Sequence, residues 1–244
     1  MTILIAGGST GIGRAIAEHF GARGDDVLIN YHTNDAAANE CVAMINAAGG
    51  RAAAYKANLG AADGVSNLGA WVKDRTSRLD QLVYGSVMAL SGGLLEVDDE
   101  KLRECLEVNP LAMIWVTREM LPLLGKGSTL FYLSSEGAQA VLPDYGPLGI
   151  GKALGEHILR YLAFELAPYG VRALTISAGT IDTPALRSVF PDSYERRLRA
   201  ATERNLAGRA LEGTDVALAI ELLSRPEMSM TTGERIRVDG GVNL

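Results

Sequence analysis

Short apolar segments alternate with longer amphipathic segments along the whole chain, and this alternation restricts the fold more than any other feature. Seven apolar segments have the length of strands and carry apolar residues on both faces, so both faces need cover. Helices on the two sides of a parallel sheet supply that cover. We therefore predict one α/β domain over residues 1–244, a doubly wound parallel sheet of about seven strands with helices on both faces. The predicted strands are Thr2–Ala6, Val27–Tyr31, Ala52–Lys56, Gln81–Val87, Thr129–Ser134, Arg172–Ser177 and Arg235–Val238.

Six amphipathic segments predict the helices between these strands, and one long segment fits neither pattern. The predicted helices are Gly11–Arg23, Asp35–Ala48, Ala62–Arg78, Asp98–Leu124, Leu148–Ala167 and Thr214–Ser224. Residues 183–212 lie outside the alternation, and so long a segment in a compact domain is typical of a lid over a binding site. We predict a substrate-binding lid there. Its six arginines against four acidic residues favour an anionic substrate or an acidic carrier protein.

Composition and charge exclude several classes of function. The net charge is −6, from 23 Lys and Arg against 29 Asp and Glu, which argues against nucleic acid or an anionic membrane as a partner. No apolar stretch approaches the roughly 18 residues of a membrane span, and the first residues lack the basic start of a signal peptide. Cys41 and Cys105 have no metal-ligand spacing. We expect reduced thiols, no metal site, a cytoplasmic location and a small-molecule substrate.

A glycine-rich loop joins the first predicted strand to the first predicted helix. It reads Gly7-Gly8-Ser9-Thr10-Gly11-Ile12-Gly13. Glycines at such a point allow a tight turn and a close approach of the backbone to a pyrophosphate, which the amides of the helix N-terminus then bind. The loop predicts a Rossmann-like dinucleotide site. The cofactor-binding residues expected here are Gly7, Ser9, Thr10, Gly11, Ile12 and Gly13.

The spacing G-x-x-x-G-x-G resembles the short-chain dehydrogenase/reductase family, and further residues extend the resemblance over the whole length. Ser135 directly follows the predicted strand Thr129–Ser134, and Lys152 lies 17 residues after Ser135, as in that family. Thr232–Gly241 is similar to the family's usual ending. The resemblance implies that Ser135, Lys152 and Asn109 are catalytic, and that the chain forms a homotetramer or homodimer. It also implies that the cofactor contacts Asn58, Leu59, Gly85, Ser86, Lys152, Gly179, Ile181 and Thr183.

The residues after the second predicted strand bear on which nicotinamide is bound. A carboxylate there would accept hydrogen bonds from the ribose 2′-hydroxyl and repel a 2′-phosphate. The chain has Tyr31 and His32 instead, so we predict NADPH as the cofactor, with both residues contacting it. His32 or Arg14 could meet the phosphate, although a solvated loop histidine is an equal alternative for His32.

The sequence departs from the family pattern where the catalytic tyrosine is expected. Four residues before Lys152 the chain has Leu148, which has no proton to give. Tyr145 lies seven residues before Lys152, the Y-x6-K spacing of the family's enoyl-acyl-carrier-protein reductases. It precedes the predicted helix, so its direction stays open between a catalytic and a packing role. We include Tyr145 among the candidate catalytic residues. The predicted substrate-binding residues are Ser86, Ser135, Tyr145, Leu148 and Leu186.

Three functions follow from this combination. The first is an atypical NADPH-dependent ketoreductase, similar to the tyrosine-lacking ketoreductases of angucyclinone polyketide biosynthesis, in which a polycyclic aromatic substrate supplies its own proton. The second is an enoyl-acyl-carrier-protein reductase that uses Tyr145 and Lys152. The third is a catalytically silent NADPH-binding protein. The sequence alone favours the first, and it leaves the substrate and the stereochemistry of reduction open.

Overall fold

The computed structural model describes residues 1–244 and contains one parallel sheet of seven strands in the order β3-β2-β1-β4-β5-β6-β7. The chain order reverses direction between β1 and β4, which is the doubly wound arrangement predicted from the sequence. The fold prediction is therefore confirmed. The strands are β1 Thr2–Ala6, β2 Asp26–Tyr31, β3 Arg51–Lys56, β4 Gln81–Tyr84, β5 Thr129–Ser135, β6 Arg172–Ala178 and β7 Arg235–Val238.

Nine α-helices surround the sheet. They are α1 Gly11–Ala22, α2 Asp35–Ala47, α3 Ala62–Lys73, α4 Asp99–Leu106, α5 Ala112–Met120, α6 Gly146–Leu166, α7 Pro184–Val189, α8 Tyr194–Arg204 and α9 Gly213–Ser224. None of them is both long and apolar enough to cross a membrane. No three His, Cys, Asp or Glu side chains are grouped so that they could hold a metal ion.

Alternate residues of each strand enter two separate cores. On β1, Ile3 and Ile5 face the core under α1, α2 and α9, whereas Leu4 and Ala6 face the core under α3, α5 and α6. Because side chains alternate across a strand, strands this apolar are buried on both faces. Polar side chains therefore collect beyond the strand ends, as with Ser135 at the end of β5.

Three predicted elements differ from the structure in ways that shape the site. The strand predicted to end at Val87 ends at Tyr84, so residues 85–97 form a loop beside the sheet edge. The single helix predicted over Asp98–Leu124 is interrupted by a π-helical turn at Glu107–Leu111, where Pro110 has no N–H to give. The predicted lid contains the two short helices α7 and α8.

Candidate active site

A cavity of about 630 Å³ opens at the carboxyl ends of the strands, the place where ligands bind in doubly wound sheets. The loops after β1, β4, β5 and β6 form its walls, and the predicted lid covers one side. All the predicted cofactor and substrate residues line it: Gly7, Ser9, Thr10, Gly11, Ile12, Gly13, Tyr31, His32, Asn58, Leu59, Gly85, Ser86, Ser135, Tyr145, Leu148, Lys152, Gly179, Ile181, Thr183 and Leu186.

The glycine loop forms an anion cradle at the start of α1. The amides of Gly7 and Gly8 both donate to the Asn30 carbonyl at 3.0 Å, which fixes the turn after β1. A Cβ atom at Gly13 would overlap the Gly7 carbonyl oxygen. The Thr10 side chain does not cap α1, and no acidic residue lies in its first turn. These free amides and the absent side chain fit the pyrophosphate of a nicotinamide dinucleotide.

The end of β2 carries a small polar network that sequence reasoning missed. Tyr31 Oη donates to the carboxylate of Asp35 at 2.9 Å, and Lys56 Nζ donates to the other oxygen of Asp35 at 2.9 Å. Arg14 is bound to Glu18 at 2.7 Å and to Glu40 at 3.1 Å. With two carboxylate partners, Arg14 is the weaker of the two residues suggested for a 2′-phosphate.

Ser135 and Lys152 approach the cavity from β5 and α6. Lys152 Nζ donates to the Leu133 carbonyl at 2.7 Å and is buried. Burial lowers the pKa of the Lys152 ammonium to about 8, because a charged group loses hydration there. One of its three N–H donors is used by Leu133, which leaves two for a ligand.

Tyr145 points into the cavity, and its direction answers the question that the sequence left open. Its Oη lies 3.1 Å from Ser135 Oγ, and its ring stacks on Phe190 of the lid at 5.9 Å. A Cβ atom at Gly137 would overlap the Tyr145 ring, so the ring fits here because residue 137 has no side chain. Burial raises the pKa of the Tyr145 phenol, while the hydrogen bond with Ser135 opposes that rise. The phenol therefore holds its proton at neutral pH.

Leu148 lies on the first turn of α6 and is 2% exposed. It packs with Cys105 of α4 and with Val189 and Phe190 of the lid. The position that would carry the family's usual tyrosine is thus an apolar wall of the cavity. Tyr145, whose phenol lines the same cavity, lies three residues earlier in the chain.

The sequence matches a family model described as Enoyl-(Acyl carrier protein) reductase over residues 6–243. The chain belongs to the short-chain dehydrogenase/reductase family. This short-chain dehydrogenase/reductase is accordingly an oxidoreductase by family.

Relatives of this short-chain dehydrogenase/reductase include both curated sequences and solved structures. The 1-cyclohexenylcarbonyl-CoA reductase of Streptomyces collinus is 30% identical over 241 residues, 99% of this chain and 86% of that protein. The NADH enoyl-acyl-carrier-protein reductase of Aquifex aeolicus is 30% identical over 185 residues, 74% of this chain and 68% of that protein. A short chain dehydrogenase from Burkholderia cenocepacia, solved with NADP, matches at 27% identity with a TM-score of 0.88, over 99% of this chain and 97% of that one.

Asn109 is the one predicted catalytic residue that does not line the cavity. Its side chain is fully buried in the π-helical turn, where Oδ1 accepts from the Met88 amide at 2.7 Å. Its Nδ2 donates to the Met88 carbonyl at 3.2 Å. Asn109 therefore holds the loop after β4 in place, and the catalytic role that the resemblance implies for it stays a prediction.

A buried ionic network behind Ser135 and Lys152 escaped sequence reasoning. Arg235 of β7 donates to Glu156 of α6 at 3.1 Å and to Glu136, which follows Ser135, at 3.1 Å. Glu156 also accepts from Ser134 Oγ at 2.7 Å. The one available signal was the glutamate four residues after Lys152, on the same buried side of α6. Its arginine partner is 79 residues away in the chain, too far for any local pattern.

Proposed function

We propose that this protein is an NADPH-dependent reductase of the carbon–carbon double bond of an enoyl thioester, with Tyr145 as the proton donor. The observation that carries the proposal is the 3.1 Å contact of Tyr145 Oη with Ser135 Oγ inside the cavity. The sequence alone favours an aromatic polyketide-type ketone that supplies its own proton, because Leu148 has none to give. With a tyrosine of the protein beside Ser135, the substrate need not supply the proton. We therefore favour an enoyl thioester over the aromatic ketone as the substrate.

The position of the proton donor also favours an enoyl thioester over a ketone. In ketone reduction, the carbon that accepts hydride carries the oxygen that becomes negative. In an enoyl thioester, that oxygen is two carbons farther along the substrate. The donor must then lie farther from the point of hydride transfer. Tyr145 precedes α6, and the apolar Leu148 occupies the position one turn later.

Each residue of the site has a distinct task in this chemistry. The reduced nicotinamide, when bound, supplies the hydride. Tyr145 donates its proton to the thioester oxygen as negative charge develops there. The resulting enol then tautomerises: its α-carbon takes up a proton, its oxygen loses one, and the saturated thioester is formed. Ser135 orients the phenol from 3.1 Å away. The two free N–H donors of Lys152 can hold the ribose hydroxyls of the cofactor, while its bond to Leu133 fixes its direction. Phe190, stacked on Tyr145, keeps water from the ring face.

The names of the relatives support the same substrate class. Cyclohexenylcarbonyl-CoA is an unsaturated thioester, and the family model that spans residues 6–243 is described by an enoyl-acyl-carrier-protein activity. The experiment that tests the proposal follows NADPH consumption with crotonyl-CoA, acetoacetyl-CoA and a hydroxylated aryl ketone. We expect reduction of crotonyl-CoA. Turnover of the aryl ketone alone would overturn the proposal in favour of a polyketide ketoreductase, and cofactor binding without any turnover would favour a silent binding protein.

We propose NADPH over NADH on the residues at the end of β2. Tyr31 stands where a carboxylate would repel the 2′-phosphate, and the charge of nearby Asp35 is offset by Lys56. His32 is exposed at the cavity edge, where it can donate to the phosphate. We expect NADPH to bind at least tenfold more tightly than NADH, about 1.4 kcal/mol. Calorimetric titration of both cofactors checks this.

The matched variant for the cofactor prediction is His32→Ala, with the exposed His157→Ala on α6 as its control. His32→Ala should lower the ratio of NADPH affinity to NADH affinity, and His157→Ala should leave this ratio unchanged. Equal affinity for the two cofactors in the unmodified protein would contradict the prediction.

The basic side of the cavity points to a phosphorylated carrier arm on the substrate. Arg197 and Arg204 of α8 both line the cavity, and neither has a carboxylate within the 4.0 Å of an ion pair. The Arg197 guanidinium lies 3.7 Å from the centre of the Phe190 ring, which holds it at the mouth. Unpaired arginines suit phosphate. We propose that they bind the phosphates of a phosphopantetheine arm.

Substitution of one of these arginines distinguishes binding of the phosphorylated arm from binding of the acyl group. Arg197→Gln should raise the KM for crotonyl-CoA about fivefold, equivalent to roughly 1 kcal/mol for a partly exposed ion pair. It should not change turnover of the crotonyl thioester of N-acetylcysteamine, which has no phosphate. Arg199→Gln, on the exposed side of the same helix, is the matched control. An equal loss on both substrates would show that Arg197 acts on the acyl group or on the lid.

A further inference from the structure

Tyr132 lies on β5, three residues before Ser135, and is 1% exposed. Its phenol oxygen has no hydrogen-bond partner. A buried hydroxyl without a partner is destabilising, so hydrogen bonding does not explain a tyrosine at this position. What the side chain does offer is the face of its ring. The Lys152 ammonium lies over that ring, 5.2 Å from its centre.

The ring is held in this position from two sides. On one side α6 has Gly155, where a Cβ atom would overlap the phenol of Tyr132. On the other side Tyr84 stacks on Tyr132, with 6.4 Å between the ring centres, and Tyr84 is itself fixed by its hydrogen bond to the Val108 carbonyl. The contact with Lys152 therefore belongs to the packed core and not to a mobile side chain.

Lys152 has few other groups to stabilise its charge. No carboxylate lies within ion-pair distance of Nζ, and its single hydrogen bond goes to Leu133. Glu156, on the next turn of α6, is bound to Ser134 and Arg235. Burial raises the pKa of the Cys105 thiol to about 11, so the group facing Lys152 from α4 is neutral at physiological pH.

We propose that Tyr132 is a positioning residue whose ring face holds the Lys152 ammonium in place, in its charged form, through a cation–π contact. The negative face of an aromatic ring attracts a cation within about 6 Å of its centre, and more strongly where water is excluded. A charged Lys152 keeps the two N–H donors that the cofactor ribose needs. The contact itself does not depend on the proposed function, which enters only through the effect on turnover.

Fluorinated rings of the same shape test the contact without disturbing the packing. Phenylalanine, difluorophenylalanine and trifluorophenylalanine are introduced at position 132, and the ionisation of Lys152 is followed by the ¹³C shifts of labelled lysines. Tyr132→Phe should leave the acid dissociation constant of Lys152 nearly unchanged, because the ring face is kept. Progressive fluorination draws electron density away from the ring face and weakens its attraction for the ammonium. The acid dissociation constant of Lys152 should therefore rise about fivefold over the whole series.

The remaining lysines provide the internal reference, since all four are exposed: Lys56, Lys73, Lys101 and Lys126. Their dissociation constants should not change in the fluorinated series. A Lys152 constant that is the same for every ring would overturn the proposal and leave Tyr132 a packing residue. NADPH affinity at pH 8 should fall in parallel with fluorination. Because the NMR titration needs no substrate, it stands even if the enoyl thioester is not reduced.

Discussion

Tyr145→Phe is expected to lower the turnover of an enoyl thioester by a factor of 10²–10⁴, the range typical of a lost general acid. The substitution removes only the hydroxyl that lies 3.1 Å from Ser135. The ring keeps its stacking on Phe190 and its place beside Gly137, so the fold and the affinity for NADPH should be unchanged. Steady-state kinetics with crotonyl-CoA and a parallel cofactor titration measure the two quantities.

Tyr194→Phe is the matched control for this experiment. Tyr194 packs against the same apolar cluster as Tyr145, but its hydroxyl donates to Glu195 on the surface at 3.1 Å. Its loss should leave turnover within a factor of about two. A Tyr145→Phe protein that reduces a hydroxylated aryl ketone at the original rate, but not the methyl ether of that ketone, would show that the substrate is the source of the proton.

Gly13→Asp is expected to weaken the binding of NADPH and NADH at least 100-fold, about 2.7 kcal/mol. A Cβ atom there overlaps the Gly7 carbonyl oxygen and so opens the turn after β1. The carboxylate also adds negative charge where the pyrophosphate binds. Gly13→Ala introduces the steric overlap without the negative charge. It should therefore lose less cofactor affinity than Gly13→Asp. Fluorescence titration with both cofactors measures the losses.

Gly125→Ala is the control for the glycine loop, because a Cβ atom there meets only Arg78 at the ordinary distance of 3.6 Å. Gly125 precedes β5 and lies at the end of the sheet away from the cavity. Cofactor affinity should be unaffected. Undiminished binding in Gly13→Asp, with a native circular dichroism spectrum, would show that the cofactor does not lie against the start of α1.

The sheet and the residues at its strand ends could be predicted because both depend on local pattern. Six of the seven strands begin and end within one residue of their predicted limits, since a short continuous apolar run is typical of a strand covered on both faces. The β4 prediction ran on to Val87 because the loop after Tyr84 is as apolar as a strand. The predicted helix over Asp98–Leu124 missed its interruption because Pro110 removes a single donor within an otherwise helical pattern.

The orientation of the Tyr145 side chain could not be predicted because it depends on residues in other segments of the chain. Gly137 leaves space for the ring, and Phe190 of the lid supplies the surface on which it stacks. Asp144, immediately before it, has the left-handed backbone with φ 64° that turns the chain into α6. No local pattern contains the first two contacts. The contact of Asn109 with Met88 could not be predicted for the same reason, since Met88 lies on another segment.

The position of Arg235 in the chain affects how the site is completed during synthesis. β7 leaves the ribosome after the glycine loop, Ser135, Tyr145, Lys152 and the lid have all been made. Until then Glu136 and Glu156 lack their arginine, and an uncompensated buried carboxylate costs several kcal/mol. Docking of α6 on β5 before β7 is present would leave the Glu156 carboxylate buried without its arginine. We therefore expect the part of the cavity formed by β5 and α6 to become stable only after β7 has joined the sheet.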